Sequence, residues 1–222
     1  LPEERGSLTD LTGGFGVDFS FLAPLFRNAV YVERNSDLCE MAQHNLPLLG
    51  AGHARVECAQ AEDFLDGAGQ QDLIFLDPAR RDDAGRKVVA LSDCSPDVAA
   101  LSPALLSRSR VVMVKLSPML DIGQALLSLH AVREVHTVSV DGECRELLLV
   151  LAAGECRPAY HCVNLGRHPQ SFVTSERHAQ PRIAGAPGQF LYEPNASILK
   201  AGVQDALCES MDVSKLHPFS HL

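Results

Sequence analysis

No apolar run in this sequence approaches the roughly 20 residues that cross a bilayer. The N-terminus also lacks a basic region followed by an apolar one, so neither membrane insertion nor secretion is indicated. A soluble, cytoplasmic protein without a membrane partner is expected. Cysteine never occurs in C-x-x-C spacing. Cys39, Cys58, Cys94, Cys144, Cys156, Cys162 and Cys208 are odd in number and scattered, which points to reduced thiols. The nearest approach to a metal cluster is Cys156 with His161 and Cys162, and a strand would send the adjacent pair to opposite faces, so no metal site is expected. A surplus of basic charge is missing too. The net charge of −9 argues against a generic nucleic-acid binder, because counterion release needs clustered Lys and Arg on the contacting face. One local run, Arg80-Arg81-Asp82-Asp83-Ala84-Gly85-Arg86-Lys87, sets four cations around two acids in a loop, which is ordinarily solvated surface.

With 222 residues and 46% hydrophobic content, the chain can bury a core large enough for one α/β domain and a further module. Its organising stretch is Leu8 to Glu33, which reads as strand, glycine turn, helix, strand and acid. Leu8 and Leu11 flank Asp10. Thr12-Gly13-Gly14-Phe15-Gly16 then supplies glycines where the chain must turn sharply and bring backbone close to a ligand. Asp18 and Ser20 suit the first turn of a helix carrying Phe19, Phe21, Leu22, Leu25 and Phe26, and Ala29 to Val32 resumes as a strand. Glu33 ends that strand, where a carboxylate can accept from both vicinal hydroxyls of a ribose. An ordinary strand-to-helix loop would use the same glycines for chain reversal alone, and the acid favours the nucleotide reading. Phe19 stands where G-x-G-x-x-G would have its third glycine, which points away from a dinucleotide.

Further on, Ser36 or Asp37 can cap a helix carrying Leu38, Met41, Ala42, Leu46 and Leu49, disturbed at Pro47 and ended by Gly50-Ala51-Gly52. Arg55 to Ala59 is the third strand. In Ala59-Gln60-Ala61 the glutamine carbonyl can accept a hydrogen bond, as Glu62 or Asp63 can from the next turn, while those two acids equally suit the start of a helix by its dipole. Leu73 to Leu76 are four apolar residues in a row, the pattern of a central parallel strand buried on both faces. Asp77-Pro78 stops this strand where ligands collect in open α/β sheets. A plain strand-ending turn is the simpler alternative. A helix with Val98, Leu101, Leu105 and Leu106 is expected next, broken at Pro103. Val111 to Leu116 is the fifth strand, whose Lys115 either lines the rim with Ser117 or, more simply, reaches solvent. A helix from Asp121 to Leu129 precedes two strands, Val132 to Val140 and Arg145 to Ala152, joined by a turn with the Asp141-Gly142 hairpin signal. After Gly154, prolines and glycines punctuate short segments of weak periodicity until Phe190 to Gly202, where Asn195 can cap a helix that Gly202 ends.

The run headed by Asp10 and the acid Glu33 resemble motif I of the class I S-adenosylmethionine-dependent methyltransferases. Asp77-Pro78-Ala79-Arg80 resembles motif IV of those that act on amino groups or nucleic-acid bases. The resemblance implies an α/β, Rossmann-like, seven-stranded methyltransferase sheet with a terminal antiparallel hairpin. It implies S-adenosylmethionine as cofactor, held by Asp10, Thr12, Gly13, Gly14, Phe15, Gly16, Glu33, Arg34, Gln60, Ala61 and Asp77. Transfer would fall to Asp77, Pro78 and Arg80. The family often has an acid where Gln60 stands, and an aromatic after Asp-Pro-Pro where this chain has Ala79 and Arg80; the guanidinium can stack on a base or grip phosphate instead. L-Y-E-P-N-A-S-I-L-K-A-G, with D-P-A-R-R-D and K-L-S-P-M-L-D, resembles a group of bacterial methyltransferases carrying a C-terminal THUMP-like domain, which implies an RNA partner. The expected division is a methyltransferase domain over 1–154 and a linker with a partial THUMP-like module over 155–222. Leu1 is not an initiator methionine and the first strand follows within ten residues, so the sequence is expected to be part of a longer protein. The alternative function is a non-catalytic S-adenosylmethionine-binding or RNA-binding module.

Overall fold

A computed structural model of the chain describes residues 6–80, 91, 94–154 and 157–220. The Arg80 side chain, all of the basic run after it and Cys156 lie outside the described residues. The first half of the chain forms β1 (Ser7–Asp10), α1 (Val17–Leu22), β2 (Asn28–Glu33), α2 (Ser36–Leu48), β3 (Arg55–Cys58), α3 (Ala61–Gly67) and β4 (Gln71–Leu76). After them come β5 (Ala79–Arg80), β6 (Cys94–Ser95), α4 (Val98–Arg108), β7 (Ser109–Leu116), α5 (Ile122–Ser128), β8 (Val132–Val140) and β9 (Glu143–Leu151). The last elements are β10 (Ala159–Leu165), β11 (Gln170–Thr174), α6 (Ala196–Ala201) and α7 (Gln204–Ser210).

A mixed sheet contains nine of these strands, and β5 and β6 form a separate antiparallel ribbon. The seven-strand expectation is therefore corrected by two strands, β10 and β11. Pro158, Gly166 and Pro169 bound these strands, whereas in the sequence they read as interruptions. Tyr160 and Cys162 alternate inward, 4% and 1% exposed, which is the period-two signal that the punctuation obscured. Because β10 pairs in parallel with β8, the hairpin is not the last feature of the sheet.

By its internal contacts the chain divides into two compact units. The first comprises Leu1–Lys115, Gly123–Ala131 and Val150–Glu155; the second comprises Leu116–Ile122, Val132–Leu149 and Cys156–Leu222.

In the first unit the strand order is β7-β4-β1-β2-β3, and each neighbouring pair is parallel. Leu73, Ile74, Phe75 and Leu76 of β4 are all buried, which is why this strand lacks alternation: both of its faces are covered. A cluster of Leu8, Phe19, Ala23, Phe26, Tyr31, Cys39, Ala42, Leu46, Leu73 and Phe75 joins α1 and α2 to the strands. Asn35 caps α2, accepting from the N–H groups of Asp37 and Leu38, so the cap lies one residue before the expected Ser36. Asp97 caps α4 in the same way, accepting from Ala99 and Ala100, and that helix runs through Pro103 instead of breaking there.

In the second unit the order is β11-β10-β8-β9. Asp141 (φ 51°) and Gly142 (φ 81°) make the tight reversal between β8 and β9, with two left-handed residues as a two-residue hairpin turn requires. α6 lies against β8 and β10, where the buried Thr137 hydroxyl donates to Ser197 O at 2.9 Å. Asn195 caps α6 by accepting from Ile198 N–H, and Gly202, at φ 69°, ends it, both as expected. Cys39, Cys58, Cys94, Cys144, Cys162 and Cys208 are free thiols.

Candidate functional site

Parallel strands carry their loops at one end, and in the first unit the carboxyl ends of β1, β2 and β4 bring the sequence-predicted residues together. The loop after β1 is held chiefly by backbone. Leu11 N–H donates to Phe75 O at 3.0 Å and Gly13 N–H to Val32 O at 2.9 Å, so the segment extends β1 toward both neighbouring strands before turning. Gly16 N–H then closes the turn on Gly13 O at 2.8 Å. Gly14 (φ 52°) and Gly16 (φ 76°) occupy the left-handed region, where side chains are disfavoured. Gly13 is required for a different reason: a Cβ there would lie 2.2 Å from the fully buried Tyr31 ring. The Tyr31 hydroxyl donates to Gly14 O. Nothing in the sequence marked Tyr31 as a support for this loop beyond its place in β2. Phe15 is 79% exposed, so the loop offers its backbone, not that ring, to the residues around it.

Glu33 ends β2 as expected, and its carboxylate is already engaged. Oε2 accepts from Gly14 N–H at 3.0 Å and Oε1 from Asn35 N–H at 2.9 Å. The glycine loop and the start of α2 are thus both tied to one side chain, and each oxygen retains a lone pair. Beside it, Ala59 N–H donates to Glu33 O at 3.0 Å, which brings the end of β3, the exposed Gln60 and the buried Ala61 alongside. Gln60 is the N-cap residue of α3 but makes no side-chain cap bond. Arg34 is exposed, with Nη1 donating to Ser95 Oγ at 3.3 Å, a bond to the short ribbon of β5 and β6.

Under the loop lies Asp10, 2% exposed. Its Oδ1 accepts from Thr12 N–H at 2.9 Å and from the Thr12 hydroxyl at 3.3 Å. That hydroxyl accepts from Asp77 N–H at 2.6 Å, so Thr12 links the end of β1 to the end of β4. Burial pushes the Asp10 carboxyl up to about 7, against the pull of the Thr12 bonds and with a further push from the charges of Asp18 and Asp77.

Asp77 is exposed and Pro78 behind it is buried. Lys115, which the sequence leaves most simply in solvent, instead bridges two carboxylates, with Nζ 2.5 Å from Asp18 Oδ2 and 2.8 Å from Asp77 Oδ2. Register explains the pairing. Leu76 sits opposite Val114 across β4 and β7, so the residue after each comes to the same level. Burial alone would lower the Lys115 ammonium, but the hydrogen bonds and charges of the two aspartates outweigh it and hold the group above the ordinary lysine range. Ser117, expected with Lys115 at the rim, belongs to the second unit, where its hydroxyl accepts from Met119 N–H at 3.2 Å.

Two stability measurements test this arrangement. Gly13→Ala should lose about 1–3 kcal/mol to overpacking in denaturant unfolding. The loss should shrink when Tyr31→Ala removes the ring, and equal losses in both backgrounds would exclude the steric cause. The native state holds the Asp10 proton more tightly than the unfolded chain, whose value is near 3.8, so stability should fall as pH rises from there to about 7. Asp10→Asn keeps an acceptor for Thr12 and should remove that fall, which is on the order of a few kcal/mol. Parallel pH profiles for parent and variant would contradict the assignment.

A family model described as a ferredoxin-like domain matches residues 190–222. A search among curated proteins gives no match. Among solved structures, a candidate methyltransferase from Porphyromonas gingivalis is 33% identical with a TM-score of 0.85, over 98% of this chain and 56% of that one. The chain thus spans little more than half the length of that relative. A T. thermophilus 16S rRNA methyltransferase, solved in complex with AdoMet and guanosine, is 18% identical with a TM-score of 0.51, covering 67% of this chain and 37% of its own. An rRNA methylase from Streptococcus thermophilus is 12% identical with a TM-score of 0.50, covering 68% and 89%. The last two likenesses are of fold alone. With the nine-stranded mixed sheet, the three together give this chain the Rossmann-like α/β fold of methyltransferases.

Proposed function

We propose that the chain binds S-adenosylmethionine at the carboxyl ends of β1, β2 and β4 and transfers a methyl group to a nucleophile held beside Asp77, a base in RNA. The observation that carries this reading is the Glu33 carboxylate, fixed by Gly14 and Asn35 N–H groups with a lone pair to spare on each oxygen. Those lone pairs suit two vicinal ribose hydroxyls. The backbone from Thr12 to Gly16, with Asp10 behind it, would hold the methionine portion. Gln60 and Ala61 would border the adenine, and Arg34 would close the rim through Ser95. The bound cofactor supplies an already activated leaving group, so the protein's part is alignment. Asp77 has Oδ2 engaged by Lys115, which leaves Oδ1 to accept from an acceptor amine and orient it, while Pro78 fixes the turn. Arg80 and the basic run after it supply the charge that a phosphate backbone needs.

The domain division at 154/155 and a THUMP-like, RNA-binding role for residues 155–222 belong to this proposal; the ferredoxin-like match over 190–222 does not carry that role. The Lys115 ion pair also favours a second reading, a non-catalytic binding module in which Asp77 is simply part of a structural bridge. Transfer of labelled methyl from S-adenosylmethionine to total RNA, compared with protein and small-molecule fractions, separates them. Label in RNA supports the first reading, label in another fraction replaces the substrate, and no label in any fraction favours the module.

Glu33→Ala should weaken S-adenosylhomocysteine binding by about 1.5–3 kcal/mol in calorimetry, the range for a hydrogen bond to a charged group. Unchanged affinity in the folded variant would remove Glu33 from the site. Asp77→Asn should depress turnover with cofactor affinity nearly intact, and Arg80→Ala should chiefly raise the apparent KM for RNA in a salt-dependent way. If Asp77→Asn lowers the melting temperature and spares activity per folded molecule, Asp77 is structural.

A further inference from the structure

The second unit carries a side-chain cluster that the methyl-transfer reading does not use. Glu134 and His136 lie two residues apart on β8 and so share a face of the sheet. Residues between and beside them, Val135 and Thr137, are fully buried on the other face. The parallel pairing of β8 with β10 sets His161 directly opposite His136. Tyr160 and Cys162, its neighbours in β10, also point into the core. Three donor side chains are thereby placed on the outward face of two adjacent strands.

Their geometry is close to that of a metal site. The two imidazoles stack with centroids 4.3 Å apart and planes 8° from parallel. His136 Nε2 lies 2.7 Å from Glu134 Oε2, and one donor atom from each of the three residues lies within 4.8 Å of the other two. An ion held at about 2.0–2.2 Å from each donor in tetrahedral array needs donors roughly 3.3 Å apart. One spacing is 2.7 Å and the others are at most 4.8 Å, so small side-chain rotations would suffice. A Glu–His hydrogen bond accounts for two members only. The His161 ring makes no hydrogen bond among the described residues and is stacked against another imidazole. A shared ion engages all three.

We propose that Glu134, His136 and His161 form a binding site for one first-row divalent transition-metal ion, clipping β10 to β8. Two imidazoles and a carboxylate suit Zn2+ or Co2+ in preference to Mg2+ or Ca2+, whose ligands are oxygens. Three protein ligands leave a coordination position for water, and the partly exposed side chains give it access to solvent; Glu134 and His136 are 43% and 26% exposed. Sequence spacing does not reveal this site, because the third ligand is contributed by a strand that the sequence barely announces.

The test is titration of the untagged protein with Co2+, followed by its visible absorption, with Zn2+ as competitor. One equivalent should bind and be displaced by Zn2+. Loss of an outer partner of a metal ligand typically costs 10–100-fold, so loss of a ligand itself in His136→Ala or His161→Ala should weaken binding by roughly a hundredfold or more. Glu134→Gln should weaken it less, and His53→Ala, far along the chain, should leave it unchanged. Zn2+ should raise the melting temperature of the parent and chelator should reverse the rise, whereas His161→Ala should show neither effect. No saturable binding, or one equivalent bound equally well by all three ligand variants, would overturn the proposal. Because the three side chains are partly exposed, circular dichroism should show folded variants; should His136→Ala unfold, the titration of Glu134→Gln and His161→Gln decides.

Discussion

A loop with three glycines has few side chains with which to hold itself, and the first unit depends on the contacts that hold this one from outside. Glu33 grips it through Gly14 N–H, Tyr31 grips the same residue through its carbonyl, and the Tyr31 ring fills the space that a side chain at Gly13 would need. The restraint is directional. Glu33 also holds Asn35, which in turn caps α2, so the position of the loop and the start of the second helix are set by one carboxylate at the end of one strand. A backbone surface fixed in this way presents N–H and C=O groups in a defined array before any ligand arrives, and little ordering free energy is then lost on binding.

Behind the loop, charge is arranged by burial as much as by pairing. Asp10 is enclosed and driven toward its neutral form, while Asp18 and Asp77, both more exposed, share Lys115. Three carboxylates near one rim would repel one another if all were charged; the raised Asp10 carboxyl and a bridging ammonium reduce that repulsion. Thr12 connects the two parts, since its hydroxyl touches Asp10 on one side and the Asp77 backbone on the other. A substitution at Thr12 would therefore be felt at both strand ends, although the residue itself bears no charge.

Much of this site was legible by residue type and order. The Asp10 to Gly16 run, Glu33 at a strand end and Asp77-Pro78 after four buried apolar residues are local patterns, and local patterns survive translation into structure. What the sequence hid depends on register. Lys115 meets Asp77 only because β4 and β7 align Leu76 with Val114, and His136 meets His161 only because β8 and β10 pair in parallel. The two unexpected strands of the nine-stranded sheet, β10 and β11, were obscured because prolines and glycines that delimit short strands look the same as those that fill a loop. Pro103 misled in the opposite direction, since the helix around it is retained.

The central claim is that the loop after β1 and the carboxylate of Glu33 together receive the cofactor. Amide NMR during titration with S-adenosylhomocysteine tests it most directly, because Gly14 N–H and Asn35 N–H report on the two oxygens of that carboxylate. The account predicts saturable shifts concentrated at Gly13, Gly14, Gly16, Asn35 and Gln60, with the amides of His136 and His161 unmoved. Saturable binding that leaves Gly14 and Asn35 unshifted would contradict it.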